Sequence, residues 1–198
     1  MSLNRYKNLL KSFSFQSFLW TQFLSAFNDN VFRIVLSLVA VNVAMDPAGA
    51  SRYVSITGAV FILPFVMFSG YAGYLADVIN KRSVLIAAKS FEIVAVTWGL
   101  FSFFTGRIEL MFVGLFLMAS HSAFFSPAKY GILPEIMPPE DLSSANGLLE
   151  MSTFLAIVMG TAIGSVMYSF WKENLSIIGG ILVLIAVVGT ILSFGIPR

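Results

Sequence analysis

The chain has 198 residues, of which 58% are hydrophobic and 11% are charged, and its net charge is +2. A typical soluble domain carries about 25% charged residues, so this composition excludes an ordinary soluble protein and gives no sign of nucleic-acid binding. The chain contains no cysteine, which excludes disulfides and thiolate metal sites. We therefore predict an all-α integral membrane protein.

Six apolar runs are predicted to cross the membrane as helices, because lipid offers the backbone no hydrogen-bond partners. The first run follows several basic residues, as in a signal peptide, but it is too long for one and is predicted to remain as an uncleaved span. Six spans suit a 3+3 inverted repeat, although the two halves share no visible sequence identity. The predicted spans cover residues 18–44, 53–76, 84–104, 110–125, 146–170 and 175–196, in one transmembrane bundle over residues 1–198.

The lysines and arginines outside these spans predict the orientation of the chain. Basic residues are more frequent on the cytoplasmic side of membrane proteins. Seven lie on the side of the two termini and three on the opposite side, so we expect both termini to be cytoplasmic. The seven are Arg5, Lys7, Lys11, Lys81, Arg82, Lys129 and Arg198, and the three are Arg52, Arg107 and Lys172.

The first span carries an acid and a base, Asp29 and Arg33, near its middle. Each costs about 2.5–3.5 kcal/mol at the centre of a span. Two interpretations remain open: a self-neutralising pair four residues apart, or a cavity-lining site for a zwitterionic substrate, a charged substrate or a coupling cation. We favour the site, because packing alone does not need five polar residues on one helix face. That face holds Gln22, Ser25, Asp29, Arg33 and Ser37, with Asn28 and Asn30 beside it.

Other polar residues lie inside the third and fourth predicted spans. Lys89 and Glu92 are three residues apart, a spacing that predicts a structural ion pair. His121 is the only histidine; it is a candidate substrate-site residue that could titrate near neutral pH, with helix packing as the alternative. No nucleophile–base pair, metal-ligand cluster or phosphate loop has a recognisable spacing, so we predict no enzyme activity, metal or cofactor.

The connection between the second and third spans holds the most specific short motif. Gly73 would allow close helix approach, Asp77 could lie at a helix N-terminus, and Lys81 and Arg82 fit the cytoplasmic side. Gly-x-Leu-Ala-Asp followed by two basic residues resembles the signature loop of the major facilitator superfamily. The resemblance implies that Gly73, Asp77, Lys81 and Arg82 act as a conformational latch and not as a substrate site. A generic cytoplasmic loop is the alternative.

Two positions of this motif depart from the superfamily pattern. Val78 stands where a base is usual, and Asn80 stands where glycine is frequent. The motif therefore resembles the superfamily pattern without matching it at every position.

A second motif follows the fourth span, in a stretch of residues 126–145 that its prolines predict to be a loop. Lys129 and Tyr130 are expected at the cytoplasmic interface. The family loop, with Pro127, Lys129, Tyr130 and Glu135, resembles that of the bacterial lysophospholipid transporter family when taken together with Asn28-Asp29-Asn30.

The resemblance implies that the chain is the N-terminal six-helix half of a twelve-helix transporter. The implied substrate is a lysophospholipid crossing the bacterial inner membrane, and the implied partners are membrane lipid, a C-terminal six-helix half and, in some relatives, fused acyltransferase domains. The head group would lie against Asn30, Asp29 and Arg33. Arg198 directly follows Pro197 at the exit of the last span, which suggests a cut rather than a natural end.

Two alternatives stay open: an exporter of drugs or other small amphiphiles, and a non-transporting membrane module of an acyltransferase fusion. The fifth span carries a small-residue seam at Ala156, Gly160 and Gly164. It resembles the antiporter motif of drug exporters, but Thr161 stands where that motif has proline, which counts against a drug–proton antiporter. Glu150 on the same span is expected to pair with Arg82 or Lys129.

Overall fold

The computed structural model describes residues 9–44 and 46–197, and in that part of the chain it contains six long helices and no strand. All six are long and apolar enough to cross a membrane, judged by length and composition. The all-α, six-span prediction is therefore confirmed. Arg5, Lys7 and Arg198 of the orientation argument lie outside the described residues. The helices are α1 Phe13–Val43, α2 Pro47–Val78, α3 Lys81–Thr105, α4 Ile108–Ile136, α5 Leu142–Trp171 and α6 Leu175–Ser193.

Local signals set several of these helix ends. The side chains of Ser12, Asp46 and Asn80 accept hydrogen bonds from backbone N–H groups at the starts of α1, α2 and α3, as N-cap residues do. Gly106 ends α3 in the left-handed region, with φ of 67°, where glycine meets no steric penalty. These caps allow consecutive spans to reverse direction over short connections.

The fourth helix is longer than predicted. It continues to Ile136, with Pro127 and Pro134 inside it. The predicted loop at 126–145 is therefore wrong for most of its length, and the connection to α5 is only residues 137–141.

Packing explains why this segment stays helical. Proline removes one backbone donor and crowds the carbonyl four residues earlier, but membrane helices tolerate it where neighbouring groups satisfy the freed carbonyl. The extension of α4 buries Ala128, Ile132 and Leu133 in an apolar cluster with residues of α3 and α5. Tertiary burial therefore outweighs the local preference of proline for a helix end.

The helix contacts follow the pattern of a 3+3 repeat. In such a repeat, α1, α2 and α3 correspond to α4, α5 and α6. The contact between α1 and α5 then corresponds to the contact between α4 and α2, and both are extensive. The same correspondence relates α1–α6 to α4–α3, while the counterpart pairs α2–α3 and α5–α6 both touch only slightly. Contacts between α1 and α2 exceed those of their counterpart, α4 and α5. The pairing is therefore that of an inverted repeat, although the contacts are unequal in two counterpart pairs, because α4–α3 is also more extensive than α1–α6.

Glycines bring α5 against α1. A Cβ atom at Gly160 would lie 2.8 Å from the carbonyl oxygen of Phe27, and one at Gly164 would lie 3.1 Å from Cα of Val31. The small-residue seam predicted on this span is confirmed. At Gly73 a Cβ atom would meet nothing within 4 Å, so the close helix approach predicted there is wrong within the described part of the chain.

Candidate functional site

Asp29 lies in the middle of α1, buried to 4% exposure. Its Oδ2 atom accepts a hydrogen bond from the hydroxyl of Ser122 on α4, and its Oδ1 atom has no partner among the described residues. Arg33 does not pair with it: the guanidinium donates to Oδ1 of Asn30 at 3.0 Å. The same guanidinium lies over the ring of Phe61, with Cζ 4.9 Å from the ring centre. The self-neutralising Asp29–Arg33 pair, one of the two open interpretations, is therefore absent from the described structure.

Asp29 faces a cavity of about 200 Å³ between α1, α2, α4 and α5. Polar groups come from α1 and α4, while α2 contributes aromatic rings, so that the cavity is amphipathic. Lys129, predicted at the interface, lines the cavity and is buried to 8% exposure. The lining residues are Gln22, Ser25, Ala26, Asp29, Asn30, Phe61, Phe65, Ser122, Phe125, Ser126, Lys129, Thr153 and Ile157.

Gln22 anchors α1 to α5 at the wall of this cavity. Its amide donates to the hydroxyl of Ser152 at 2.6 Å, and its carbonyl oxygen accepts from Thr153 at 3.0 Å. Of the predicted substrate-site residues, Gln22, Ser25, Asp29 and Asn30 line the cavity, and the other three do not.

Those other three residues lie elsewhere. Arg33 stands one turn beyond the cavity, over Phe61. Asn28 points to the opposite side of α1, donating to Oε1 of Glu92 at 3.3 Å and to the carbonyl of Leu182 at 3.1 Å. His121 is fully buried, with Nε2 3.3 Å from Oε2 of Glu92.

Asn28 and His121 belong to what we name the buried charge cluster, made of Ser25, Asn28, Lys89, Glu92 and His121. Lys89 donates to Glu92 and, at 2.7 Å, to Ser25. The predicted Lys89–Glu92 pair is therefore confirmed, and both side chains have 0% exposure. Burying two charges is favourable only when each is well hydrogen-bonded, and partners from α1 and α4 meet that need.

Glycine on α6 makes room for the lysine of this cluster. A Cβ atom at Gly189 would lie 2.8 Å from Nζ of Lys89, and the neighbouring Thr190 hydroxyl donates to the Lys89 carbonyl at 3.0 Å. Sequence reasoning missed Gly189, Ser122 and Thr153. Of these three, only Ser122 had a signal in the sequence, because it adjoins His121.

The predicted latch residues meet the family loop at one end of the bundle. Nζ of Lys81 lies 2.7 Å from Oε1 of Glu135. Arg82 donates to the carbonyls of Ile196 at 2.7 Å and Phe194 at 3.0 Å, and so holds the end of α6. Asp77 is exposed in the last turn of α2 and has no hydrogen bond or ion pair with any described residue. We name this end, with the α2–α3 connection and the ends of α4 and α6, the Lys81 end.

The helical extension of α4 changes two further assignments. Pro127 lies inside the helix, and Tyr130 donates a hydrogen bond to Glu150 of α5. The expected pairing of Glu150 with Arg82 is wrong, because Arg82 turns to α6. Glu150 attracts Lys129 electrostatically, but the hydrogen bond that it accepts comes from Tyr130. Among residues 9–44 and 46–197, no three acid or histidine side chains converge as a metal site would need.

Comparison with known proteins agrees with this arrangement. Residues 18–198 match the model of the Major Facilitator Superfamily. The chain is 33% identical over 178 residues to the lysophospholipid transporter LplT of Photorhabdus laumondii, an alignment that covers 90% of this chain and 42% of that protein.

Two further relatives carry the same name. The LplT of Enterobacter sp. strain 638 is 33% identical over 146 residues, covering 74% of this chain and 34% of that protein. The LplT of Yersinia enterocolitica is 28% identical over 180 residues, covering 91% and 41%. The chain thus spans less than half the length of the curated relatives it matches. With six membrane-length helices in a repeat-like arrangement and a family match over nearly all its residues, the chain belongs to the major facilitator superfamily.

Proposed function

We propose that this chain is the N-terminal six-helix half of a lysophospholipid transporter in the bacterial inner membrane, with both termini in the cytoplasm. The observation that carries the proposal is the amphipathic cavity, which is lined both by Asp29, a buried acid with one unpartnered oxygen among the described residues, and by aromatic rings of α2. Relatives named lysophospholipid transporters, alignable over most of the chain, support the same substrate class. We infer that the chain moves lipid and performs no covalent chemistry.

The chemistry of the cavity suits a lipid with one acyl chain and a charged head. An ammonium group is attracted to the carboxylate of Asp29, and a phosphate is attracted to Lys129. The acyl chain packs against Phe61 and Phe65. A lysophosphatidylethanolamine-like lipid supplies all three groups.

The size of the cavity indicates that the second half completes the site. A volume of about 200 Å³ is below the roughly 300–1,000 Å³ of small-molecule pockets, so this half alone encloses only part of a lysolipid. α2 and α5 border the cavity and are the least buried of the six helices. We propose that these two helices face a C-terminal six-helix bundle, and that rocking of the two bundles gives alternating access.

The Lys81 end is proposed as the latch of that motion. Asp77 is left without a partner in the described residues, and a group from the second bundle is expected to supply one. Acyltransferase domains, which would consume the imported lysolipid, are a further proposed partner on the cytoplasmic side.

The test is uptake of labelled lysophosphatidylethanolamine by the full-length transporter in proteoliposomes. Asp29→Asn keeps the shape and removes the charge, and losing a hydrogen bond to a charged group costs about 1.5–3 kcal/mol, so uptake should fall roughly 10- to 100-fold. Ser37→Ala is the control, because Ser37 bonds only to the Arg33 carbonyl and lies outside the cavity.

Normal uptake by Asp29→Asn at normal protein level would remove Asp29 from the mechanism. A wild-type protein that exports an amphiphilic dye and does not take up lysolipid would favour the drug-exporter alternative. A protein inactive towards both, yet required for a linked acyltransferase, would favour the non-transporting module.

A further inference from the structure

We propose that Arg33 and Lys129 are alternative contacts for the phosphate of the transported lipid, Arg33 while the site is open to the outer side and Lys129 while it is open to the cytoplasm. Asp29, which lies between them, holds the ammonium group in both conformations. The inference rests on the proposed transport function and assigns the path of the head group through this half of the transporter.

The two basic residues lie on opposite sides of Asp29 along the membrane normal. Arg33 follows Asp29 by four residues on α1, which is about 6 Å along a helix axis. Ser122 marks the level of Asp29 on α4, because the two side chains are hydrogen-bonded, and Lys129 follows Ser122 by seven residues, about 10 Å. Consecutive spans alternate in direction, so α1 and α4 run oppositely. With the termini in the cytoplasm, the backbone of Arg33 is on the outer side of Asp29 and that of Lys129 on the inner side.

Both cations are held over aromatic rings. Cζ of Arg33 lies 4.9 Å from the ring centre of Phe61, and Nζ of Lys129 lies 4.6 Å from the ring centre of Tyr130. Glu150 attracts Lys129, but neither cation forms an ion pair with a residue of the described ranges. A ring contact offsets only part of the cost of a base inside a span. Each cation is therefore stabilised further when an anion arrives.

The hydrogen-bonding capacity of both side chains is largely unused. A guanidinium has five N–H donors and an ammonium has three. Within the part of the chain that the structure describes, the Arg33 guanidinium donates one hydrogen bond, to Oδ1 of Asn30 at 3.0 Å, and the Lys129 ammonium donates none. Asn30 and Lys129 line the cavity. Lys129 therefore reaches a bound phosphate directly, and Arg33 reaches it by a rotamer change from its place beside Asn30.

This arrangement of charges suits a zwitterionic head group. A short ethylene link joins the ammonium and the phosphate of ethanolamine phosphate, so the group can contact Asp29 together with one cation. Arg33 lies against Phe61 of α2, whereas Lys129 lies beside Tyr130, whose hydroxyl donates to α5. The two cations thus differ in level and in neighbouring helix. A phosphate that leaves one cation approaches the other while the ammonium stays at Asp29.

Two phosphate contacts keep the head group paired throughout its passage. An unpaired charge inside a span is costly, and a single cation on one side of Asp29 would leave the phosphate without a partner in one of the two conformations. Rocking of the two bundles would offer Arg33 to lipid from the outer side and Lys129 to lipid from the cytoplasmic side. The inferred substrate class is a single-chain lipid that carries both a phosphate and an ammonium group.

The experiment measures the half-saturation concentration of the full-length transporter from each face separately. Labelled lysophosphatidylethanolamine is added to right-side-out membrane vesicles, which present the outer face, or to inverted vesicles, which present the cytoplasmic face. Exchange for unlabelled lipid in the inner leaflet is followed, so that no driving force is needed. The amount of transporter in each vesicle preparation is measured alongside.

Each substitution should act from one face. Arg33→Gln removes a charged hydrogen-bond donor, so it should raise the half-saturation concentration roughly tenfold or more from the outer face and less than about twofold from the cytoplasmic face. Lys129→Gln should show the reverse. A substitution cannot change the equilibrium of the lipid between the two sides, so the maximal rates should shift in compensation.

A competitor without phosphate separates a phosphate contact from a structural role. Acylcholine has a single chain and a permanent ammonium group, so its inhibition of exchange should weaken in Asp29→Asn and stay unchanged in Arg33→Gln and Lys129→Gln. Arg33→Lys and Lys129→Arg keep the charge and should retain most of the affinity for lysolipid. Arg107→Gln is the control, because Arg107 is exposed at the start of α4 and lies outside the cavity.

The possible outcomes separate this inference from the transport proposal. Equal shifts from both faces, or no shift in either variant, would overturn the alternating phosphate contacts and leave the transport proposal standing. Weaker acylcholine inhibition in Arg33→Gln and Lys129→Gln would show a structural effect and would also overturn the inference. No exchange by the wild type from either face would overturn the transport proposal and this inference with it.

Discussion

Lys81 at the start of α3 and Glu135 near the end of α4 form an ion pair, with Nζ 2.7 Å from Oε1. The stem of the lysine crosses Gly131, where a Cβ atom would lie 2.9 Å from Cε of Lys81. The predicted latch and the family loop, whose contacting residues are 54 positions apart in the chain, therefore touch in the fold. This contact links α3 to α4 at the end of the bundle where the latch is proposed.

The Lys81–Glu135 pair should affect transport more than stability. Exposed ion pairs contribute about 0–1 kcal/mol, and the Glu135 side chain is 50% exposed. Glu135→Gln should therefore leave the melting temperature of the full-length transporter almost unchanged and lower the lysolipid uptake rate. The exchange of Lys81→Glu with Glu135→Lys should restore part of that rate. Glu109→Gln, at the opposite end of α4, controls for the loss of charge; an equal fall in that variant would contradict the latch.

The contact of α5 with α1 should be intolerant of a methyl group. Gly160→Ala places a carbon 2.8 Å from the Phe27 carbonyl oxygen, and backbone cannot yield as a flexible side chain can, so we expect a loss of about 1–3 kcal/mol. Gly147→Ala on the same helix meets nothing within 4 Å and should be neutral or slightly stabilising. Thermal unfolding in detergent measures both, and equal stability of the two variants would refute the close approach.

Breaking the buried charge cluster should be costly. Lys89→Met leaves Glu92 charged and buried, which typically costs about 3–5 kcal/mol. Adding Glu92→Gln removes the orphaned charge and should recover a large part of the loss. Lys172→Met, at an exposed position, is the control. The measurement is the yield and melting temperature of purified protein; a double variant less stable than Lys89→Met would show that the Lys89–Glu92 charges are not the cause.

Double-mutant cycles should tell whether Arg33, which also bonds to Asn30, interacts more strongly with Phe61 or with Asp29. The guanidinium lies 4.9 Å from the Phe61 ring centre, and such contacts contribute about 0.5–2 kcal/mol. Arg33→Gln combined with Phe61→Leu should show coupling in that range in the free energy of unfolding. Arg33→Gln combined with Asp29→Asn should show a smaller coupling. A larger coupling energy of Arg33 with Asp29 than with Phe61 would instead support the intrahelical Asp29–Arg33 pair.

The sequence was sufficient for the number of helices and for the Lys89–Glu92 contact. An apolar run that is long enough to span the membrane forms a helix, because lipid leaves its backbone no other hydrogen-bond partners. Residues three apart on a helix are neighbours in any fold. The sequence was also sufficient for the glycine seam of α5, since small residues four apart leave a groove that a neighbouring helix can enter.

Local signals misled at the end of α4, and at Asp29 they left two interpretations open. Prolines predicted a loop after residue 125, but burial of Ile132 and Leu133 keeps that segment helical. Arg33 stands at the right spacing to pair with Asp29, yet it bonds to Asn30. Several alternative partners compete for each polar side chain, and their relative distances are not encoded in spacing along one helix.

By itself, then, the sequence determined a bundle of six membrane helices, because hydrophobicity and period act within each segment, and its motifs gave the resemblance to the major facilitator superfamily. Only the tertiary structure decided that Asp29 meets Ser122, 93 residues away, and that His121 and Asn28 turn to Glu92 and not to the cavity. Such contacts depend on how each helix is rotated about its axis. That rotation is set by the packing of all six helices together.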